Sequence, residues 1–283
     1  MFNIINMENY RLRKSKSTYV ILLFLLVTII LSLFLVYSIN QNILKENNEY
    51  ENIEISIEGE YYEMDGDSFL LSQYENTTLL FFVIIFGGIF FTSPYSNSFI
   101  KNFIGVENKK YKYIISVYIV GALFTLFLFI ISALITTLGL PIVSNGNLII
   151  KNIGNIIKVL SVQYLLHIAY LSLILLISTI TRSTSISLLI SLSYGLILIN
   201  LFIFLIDKIL EKIFVLKENF SIGNYSIVKL IENLNSNNMN RAILISIILI
   251  TIWIFLSSIV IKKKDFEIKE RKYYVKYIKY GKL

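Results

Sequence analysis

Gln163, His167 and Tyr170 fall at helical spacing inside an apolar run, which places the three on one face of one helix. An imidazole between an amide and a phenol can relay a proton, hold a ligand or join neighbouring helices by hydrogen bonds. Nothing acidic lies near His167 in sequence, so a hydrogen-bonded interhelical role is the plainer reading. A second pattern, Ser183, Ser187, Ser191 and Gly195, repeats a small residue every four positions. Small residues let helix backbones approach closely in lipid, so this stripe is expected to pack on another helix, with the preceding apolar run as the natural partner. A hydroxyl-lined path for a solute is the alternative. The third pattern is charge: Glu46, Glu49, Glu51, Glu54, Glu58, Glu60, Glu63, Asp65, Asp67 and Glu75 accumulate against one Lys45. Clustered negative charge concentrates cations, so Glu54, Glu58, Glu60, Glu63, Asp65 and Asp67 could draw in a cationic ligand. A merely solvated loop would carry the same charges. Within it, Ile53 to Glu58 alternates apolar and polar residues, the pattern of a short strand.

Other chemistries are excluded by what the chain lacks. With 0 Cys and 1 His it has no disulfide, no thiolate metal site and no multi-histidine metal site. No G-x-x-x-x-G-K-[ST] phosphate loop and no G-x-S-x-G nucleophile elbow occurs. The apolar runs hold no Asp, Glu or Lys at depth, which argues against a proton- or sodium-coupled carrier. The chain is therefore expected to be neither an enzyme nor a cofactor protein, and any ATP chemistry must come from a partner.

The elements that position these residues follow from composition. Of 283 residues, 55% are hydrophobic and 16% charged, and the mean hydropathy is +0.69. A soluble domain carries roughly 25% charged residues. A bilayer core about 30 Å thick needs roughly 20 apolar residues in helical form. Six runs approach that length, at about 19–39, 78–92, 113–137, 160–181, 183–206 and 242–261. Their continuity favours helices over barrel strands. The expected fold is an all-α membrane protein of six transmembrane helices with both termini cytoplasmic, forming one domain over 1–283. The first run is too long for a signal peptide and no small-x-small cleavage site follows it, so it reads as retained.

Charge sets the orientation. With the N-terminus inside, 18 of the 26 basic residues and 5 of the 19 acidic ones face the cytoplasm, giving +13 inside and −6 outside. Lys and Arg beside the spans favour the cytoplasmic side. The outer loops are then 40–77 and 207–241. In the second, Ile209, Leu210, Ile213, Phe214 and Leu216 have helix-like spacing beside Lys208, Glu211, Lys212 and Lys217, as in a surface-lying amphipathic helix or a re-entrant segment. The Lys- and Tyr-rich tail from Lys262 suits lipid headgroups at a membrane surface, and no nucleic-acid partner is expected. The abundance of Ile, Asn and Lys fits an AT-rich bacterial genome, so the expected location is a bacterial cell membrane.

Between the second and third runs lies SNSFIKNFIGVENKKYKYIISVYIVG, Ser96 to Gly121. It resembles the corresponding region of ABC exporter permeases of the ABC-two family, in which a Lys-Asn pair, a Gly and basic residues lead into the third helix. Lys101-Asn102, Gly105 and Lys109-Lys110 match that pattern, whereas Ser93 to Ser98 replaces the acidic residue and glycine usual before the Lys-Asn pair. ISTITRSTSISLLIS, Ile177 to Ser191, resembles the turn between helices four and five, and KKKDF from Lys262 resembles the ending after helix six. The resemblance implies a permease that pairs with a second permease, identical or homologous, and with cytoplasmic ABC ATPase subunits that hold ATP and Mg. Ser98 to Lys112 and Thr181 to Thr184 would then dock on the ATPase. Phe99, Phe103 and Ile104 would anchor in a groove, Lys101, Lys109, Lys110 and Arg182 would meet acidic rims on the partner, and Asn102 and Gly105 would complete the contact. Small size and an acidic outer loop resemble the bacteriocin or lantibiotic immunity and antimicrobial-peptide export branch. A sensor or scaffold that detects a cationic peptide through the acidic loop is the reading from another class.

Overall fold

A computed structural model describes residues 1–50, 66–96, 110–144, 148, 150–198, 208 and 225–263. Among them the regular structure is all helical: α1 (Phe2–Lys14), α2 (Lys16–Tyr50), α3 (Gly66–Glu75), α4 (Thr77–Ser96), α5 (Lys110–Val143), α6 (Ile153–Thr181), α7 (Thr184–Leu192), a π-helical turn (Ser193–Leu198), α8 (Ile227–Glu232) and α9 (Met239–Lys263). The strand pattern at Ile53 to Glu58 and the amphipathic pattern at Ile209 to Leu216 lie outside the described residues.

Five stretches are long and apolar enough to cross a bilayer: Lys16–Ser38, Gly66–Tyr95, Lys110–Val143, Ile153–Thr181 and Met239–Lys262. A sixth apolar stretch, Thr184–Gly195, is shorter. It coincides with the fifth run expected from sequence, whose end at 199–206 lies outside the described residues. The second run extends well beyond 78–92, because α3 joins α4 with a break only at Asn76. Residues 40–77, expected as a loop, are thus helical at both ends. Polar Asp67, Gln73 and Glu75 mask α3 in the sequence, while Phe69, Leu70 and Tyr74 are buried.

Side-chain pairs fix the direction of each helix. Leu33 of α2 fills the space beside Gly139 of α5, and the Phe86 ring of α4 packs tilted against Phe124 of α5 with centroids 4.3 Å apart. Twelve residues before Phe86, Tyr74 of α3 donates to the Phe129 carbonyl at 3.0 Å, so the α3–α4 stretch runs antiparallel to α5. Tyr164 of α6 donates to the Ala122 carbonyl, and Tyr118 of α5 to the Ile168 carbonyl, again antiparallel. Lys262 of α9 lies over the Tyr111 ring at the start of α5, and Arg11 of α1 reaches Phe90 near the end of α4. Both described ends of the chain therefore meet the same face, the one that carries the basic excess.

Burial explains the surface. One stripe of α2, Ile21, Leu25, Ile29 and Leu33, faces the bundle at four-residue spacing, while Leu23, Phe24, Ile30 and Phe34 point outward with more than half their surface open. On α9, Leu244, Ile247 and Phe255 are similarly exposed. Each large apolar side chain left in water forgoes roughly 1.5–3 kcal/mol, so these faces require lipid or a partner. At 34 residues, α5 is roughly 50 Å long, which exceeds the hydrocarbon core and carries it beyond the bilayer at one end at least.

The outer ends are tied by polar caps. Both carboxylate oxygens of Asp67 accept backbone N–H groups, from Lys151 at 2.8 Å and Asn152 at 3.0 Å. Asn152 in turn caps α6 by accepting from the Asn155 amide at 3.1 Å. Asp67→Ala is expected to lower stability by about 1–2 kcal/mol, because two charge-assisted bonds are lost at a half-exposed position. Thermal unfolding of the purified protein checks this, with Asp67→Asn retaining part of the loss.

Candidate functional site

The inner end of α4 is where four elements converge, and Pro94 explains how. Proline has no N–H, so the Phe90 carbonyl one turn earlier loses its helical donor. Two other groups fill that place: Arg11 Nη2 of α1 donates to Phe90 O at 3.1 Å, and Ser93 Oγ donates at 3.1 Å. The Arg11 guanidinium also lies over the Phe90 ring, 4.5 Å from its centroid. An orphaned carbonyl and an aromatic face thereby make a socket for one arginine.

The same Nη2 of Arg11 also meets Glu8 Oε2, one turn back on α1, at 2.6 Å. Ile4, Glu8 and Leu12 form the buried stripe of α1, and Glu8 is 0% exposed. Burial pushes the Glu8 carboxyl above its usual range, opposed by the Arg11 charge and by the Tyr113 hydroxyl of α5. Glu8, Arg11, Tyr113 and Phe90 thus link α1, α5 and α4 at one point.

The turn after α6 closes the collar from the far side. Arg182 ends α6 with φ 55°, the sole non-glycine residue with positive φ among those described. An arginine in that conformation is held there by its surroundings. Its guanidinium lies 5.7 Å from the Tyr95 ring centroid. Two residues on, Thr184 Oγ1 is 2.9 Å from Thr92 Oγ1 of α4. From there α7 returns beside α6: Ser178 and Ser187 hydroxyls are 2.8 Å apart, and Tyr170 donates to the Ser191 carbonyl at 2.6 Å. Gly195 follows in the π-helical turn, so close to Tyr170 and Ile84 that a Cβ would lie 2.8 Å from the Tyr170 hydroxyl oxygen. Pairs 178–187, 170–191 and 170–195 shift in opposite directions along the two helices, as an antiparallel hairpin requires.

The structure brings Ser187, Ser191 and Gly195 together against α6 and α4, in contacts that pack helices. Gln163 and His167 lie elsewhere, near the outer half of α6. Gln163 Nε2 donates to the Ile231 carbonyl of α8 at 2.9 Å. His167 Nδ1 is 2.7 Å from the Gln163 carbonyl, an acceptor, so Nδ1 carries the proton. The imidazole stands edge-on to Phe129 of α5 at 4.9 Å. Its bond thus stays within its own helix, and the interhelical bond belongs to Gln163.

Lys110 opens α5 half-buried, next to the collar. Phe99, Lys101, Asn102, Phe103, Ile104, Gly105 and Lys109 lie outside the described residues, as do Glu54, Glu58, Glu60, Glu63 and Asp65. Asp67 is described, with both oxygens engaged at the start of α6. No group of three or more His, Cys, Asp or Glu able to hold a metal occurs among the described residues.

Residues 4–198, from α1 through the π-helical turn, match the family of ABC-2 family transporter proteins. This chain belongs to the ABC-2 transporter family. No curated protein matches it. An ABC-2 chain is the transmembrane, non-catalytic subunit of an ABC transporter, and such permeases generally work with cytoplasmic ATPase subunits. The matched region holds every collar element, whereas α8 and α9 lie beyond it.

Sequence reading by itself missed Glu8, Phe90, Thr92, Pro94 and Tyr113. A signal was present: Ile4, Glu8 and Leu12 recur every fourth residue, with Arg11 one turn from Glu8. The proline four residues after Phe90 marked the free carbonyl.

Proposed function

We propose that this ABC-2 subunit is the permease of an exporter that moves a peptide-like or amphipathic compound out of the inner leaflet or the cell. It works beside a second permease, in a bacterial cell membrane. Its ATPase partners bind ATP and Mg and dock on Ser98 to Lys112 and on the turn around Arg182. The convergence of α1, α4, α5 and the α6–α7 turn at the inner end of α4 carries this reading. The docking segment Ser98 to Lys112 bridges α4 and α5, so force applied to it reaches both helices at the collar. Force on the Arg182 turn reaches α4 through Thr184 and Thr92. A cationic antimicrobial peptide suits the acidic outer loop as the exported compound.

The test is the ATPase activity of the purified complex in lipid, for the native chain and for Lys101→Glu plus Lys109→Glu, once membrane delivery of the variant is verified. Charge reversal on a docking rim weakens encounter most at low salt. The expected result is several-fold less associated ATPase, or loss of substrate-stimulated turnover. Absence of any co-purifying ATPase with the native chain would overturn the exporter and favour a peptide sensor.

A further inference from the structure

A cleft of about 560 Å³ opens between α1, the first turns of α2 and the inner half of α4. Ile21, Phe86 and Ile89 form its apolar wall, and Arg11, Lys14 and Ser17 stand among its polar lining. That volume is within the span of ligand sites, roughly 300–1,000 Å³. Arg11 contributes its positive charge to this wall, with Nη2 engaged by Phe90 and Glu8 and with Nε and Nη1 buried. Arg11, Arg13, Lys14 and Lys16 cluster within six residues, and Glu8 is the one carboxylate in α1. The first amides of α2 add the positive end of a 35-residue helix beside Ser17.

We propose that this cleft is a binding site for an anionic phospholipid of the cytoplasmic leaflet. The headgroup phosphate accepts from Lys14 and the Ser17 hydroxyl beside the Arg11 charge, and one acyl chain lies along Ile21, Phe86 and Ile89. Charge complementarity selects the anion. The apolar wall selects a lipid over a soluble phosphate, which would leave that wall uncovered. Position agrees: α2 enters its apolar stretch at this level, with Tyr19 and Val20 exposed just beyond the cleft. The site stands independently of the exported compound and of ATPase docking.

The experiment is native mass spectrometry of the full chain released from detergent after incubation with phosphatidylglycerol or phosphatidylcholine. Preferential retention of phosphatidylglycerol is expected. Lys14→Glu, at an exposed position, is expected to weaken it by roughly 30-fold, the effect of reversing one basic charge beside anionic lipid. Ile89→Trp, which occupies the chain's space, is expected to abolish it with melting temperature checked in parallel. Lys262→Glu, a basic residue on the same face but at the far end of the chain, serves as a control and is expected to retain the lipid. Equal retention of the two lipids, or phosphatidylglycerol binding untouched by Lys14→Glu, would overturn the proposal. So would displacement by sn-glycerol 3-phosphate at concentrations comparable to the lipid, which would mark a soluble-anion site.

Discussion

Arg11→Ala is expected to destabilise the protein by about 3–5 kcal/mol, the usual consequence of stripping the partner from a buried charge. Glu8 is fully buried and Arg11 is the cation beside it. The same substitution empties the Phe90 carbonyl of one of its two side-chain donors, in a helix where Pro94 has already removed the backbone one. α1 should then separate from α4, detectable as protease cleavage near Ser15 and as a lower melting temperature. The double variant Arg11→Ala with Glu8→Gln separates the causes. Neutralising Glu8 should return more than half of the lost stability, and if it returns none, Arg11 acts through Phe90 alone.

The Arg11→Ala penalty also depends on pH, with a definite sign. Burial raises the Glu8 carboxyl and Arg11 is the main influence holding it down. Without Arg11 the folded-state value rises further, so the native state takes up a proton that the unfolded state releases. Stability contributed by a raised carboxyl is present below the unfolded value and is lost as pH climbs through the folded one. The variant should therefore be closest to the native chain at acidic pH and fall further below it as pH rises. Melting curves of both proteins over a series of pH values read it directly.

The spans were legible in the sequence because a bilayer imposes one crude requirement, a long apolar run, and tolerates few polar exceptions. Charge asymmetry was legible for a similar reason: it needs only counting. Resemblance around Lys101-Asn102 and Thr181 to Thr184 pointed to the family found by comparison. The collar was not legible because its parts are far apart in the chain. Arg11 and Phe90 lie 79 residues apart, and Thr92 and Thr184 lie 92 apart. Nothing local says that a carbonyl freed by Pro94 will be met by an arginine from α1. α3 was hidden for a different reason, since Asp67 and Gln73 lower its hydropathy while serving as a clamp on α6 and a donor to Ser32. His167 attracted notice through its chemistry, yet its Nδ1 bond stays within its own helix.

The same distant contacts make Gly88→Leu the most disruptive single change expected in the apolar core. Gly87 and Gly88 sit side by side on α4, and they face different partners. A Cβ on Gly87 would meet Leu171 of α6 at 2.9 Å, and one on Gly88 would run into the side chain of Leu188 on α7. Adjacent glycines therefore let one helix approach two others at once, as small residues do in membranes. A leucine at 88 must displace Leu188 outward, and overpacking of this kind costs about 1–3 kcal/mol. Displacing α7 also separates Thr184 from Thr92, four residues from Gly88 on α4, which opens the collar. A chemical ruler can report that movement. The chain has 0 Cys, so Thr92→Cys with Thr184→Cys creates one defined pair at positions whose hydroxyls are 2.9 Å apart. In an otherwise native chain the pair should oxidise readily, and adding Gly88→Leu should slow it severely, with Gly88→Ala intermediate. Gly154→Ala, where an added Cβ meets nothing closer than 3.9 Å, should leave the crosslink unchanged. Rapid crosslinking in the Gly88→Leu background would mean that α4 and α7 have room to spare at this crossing and that the glycine is not what brings them together.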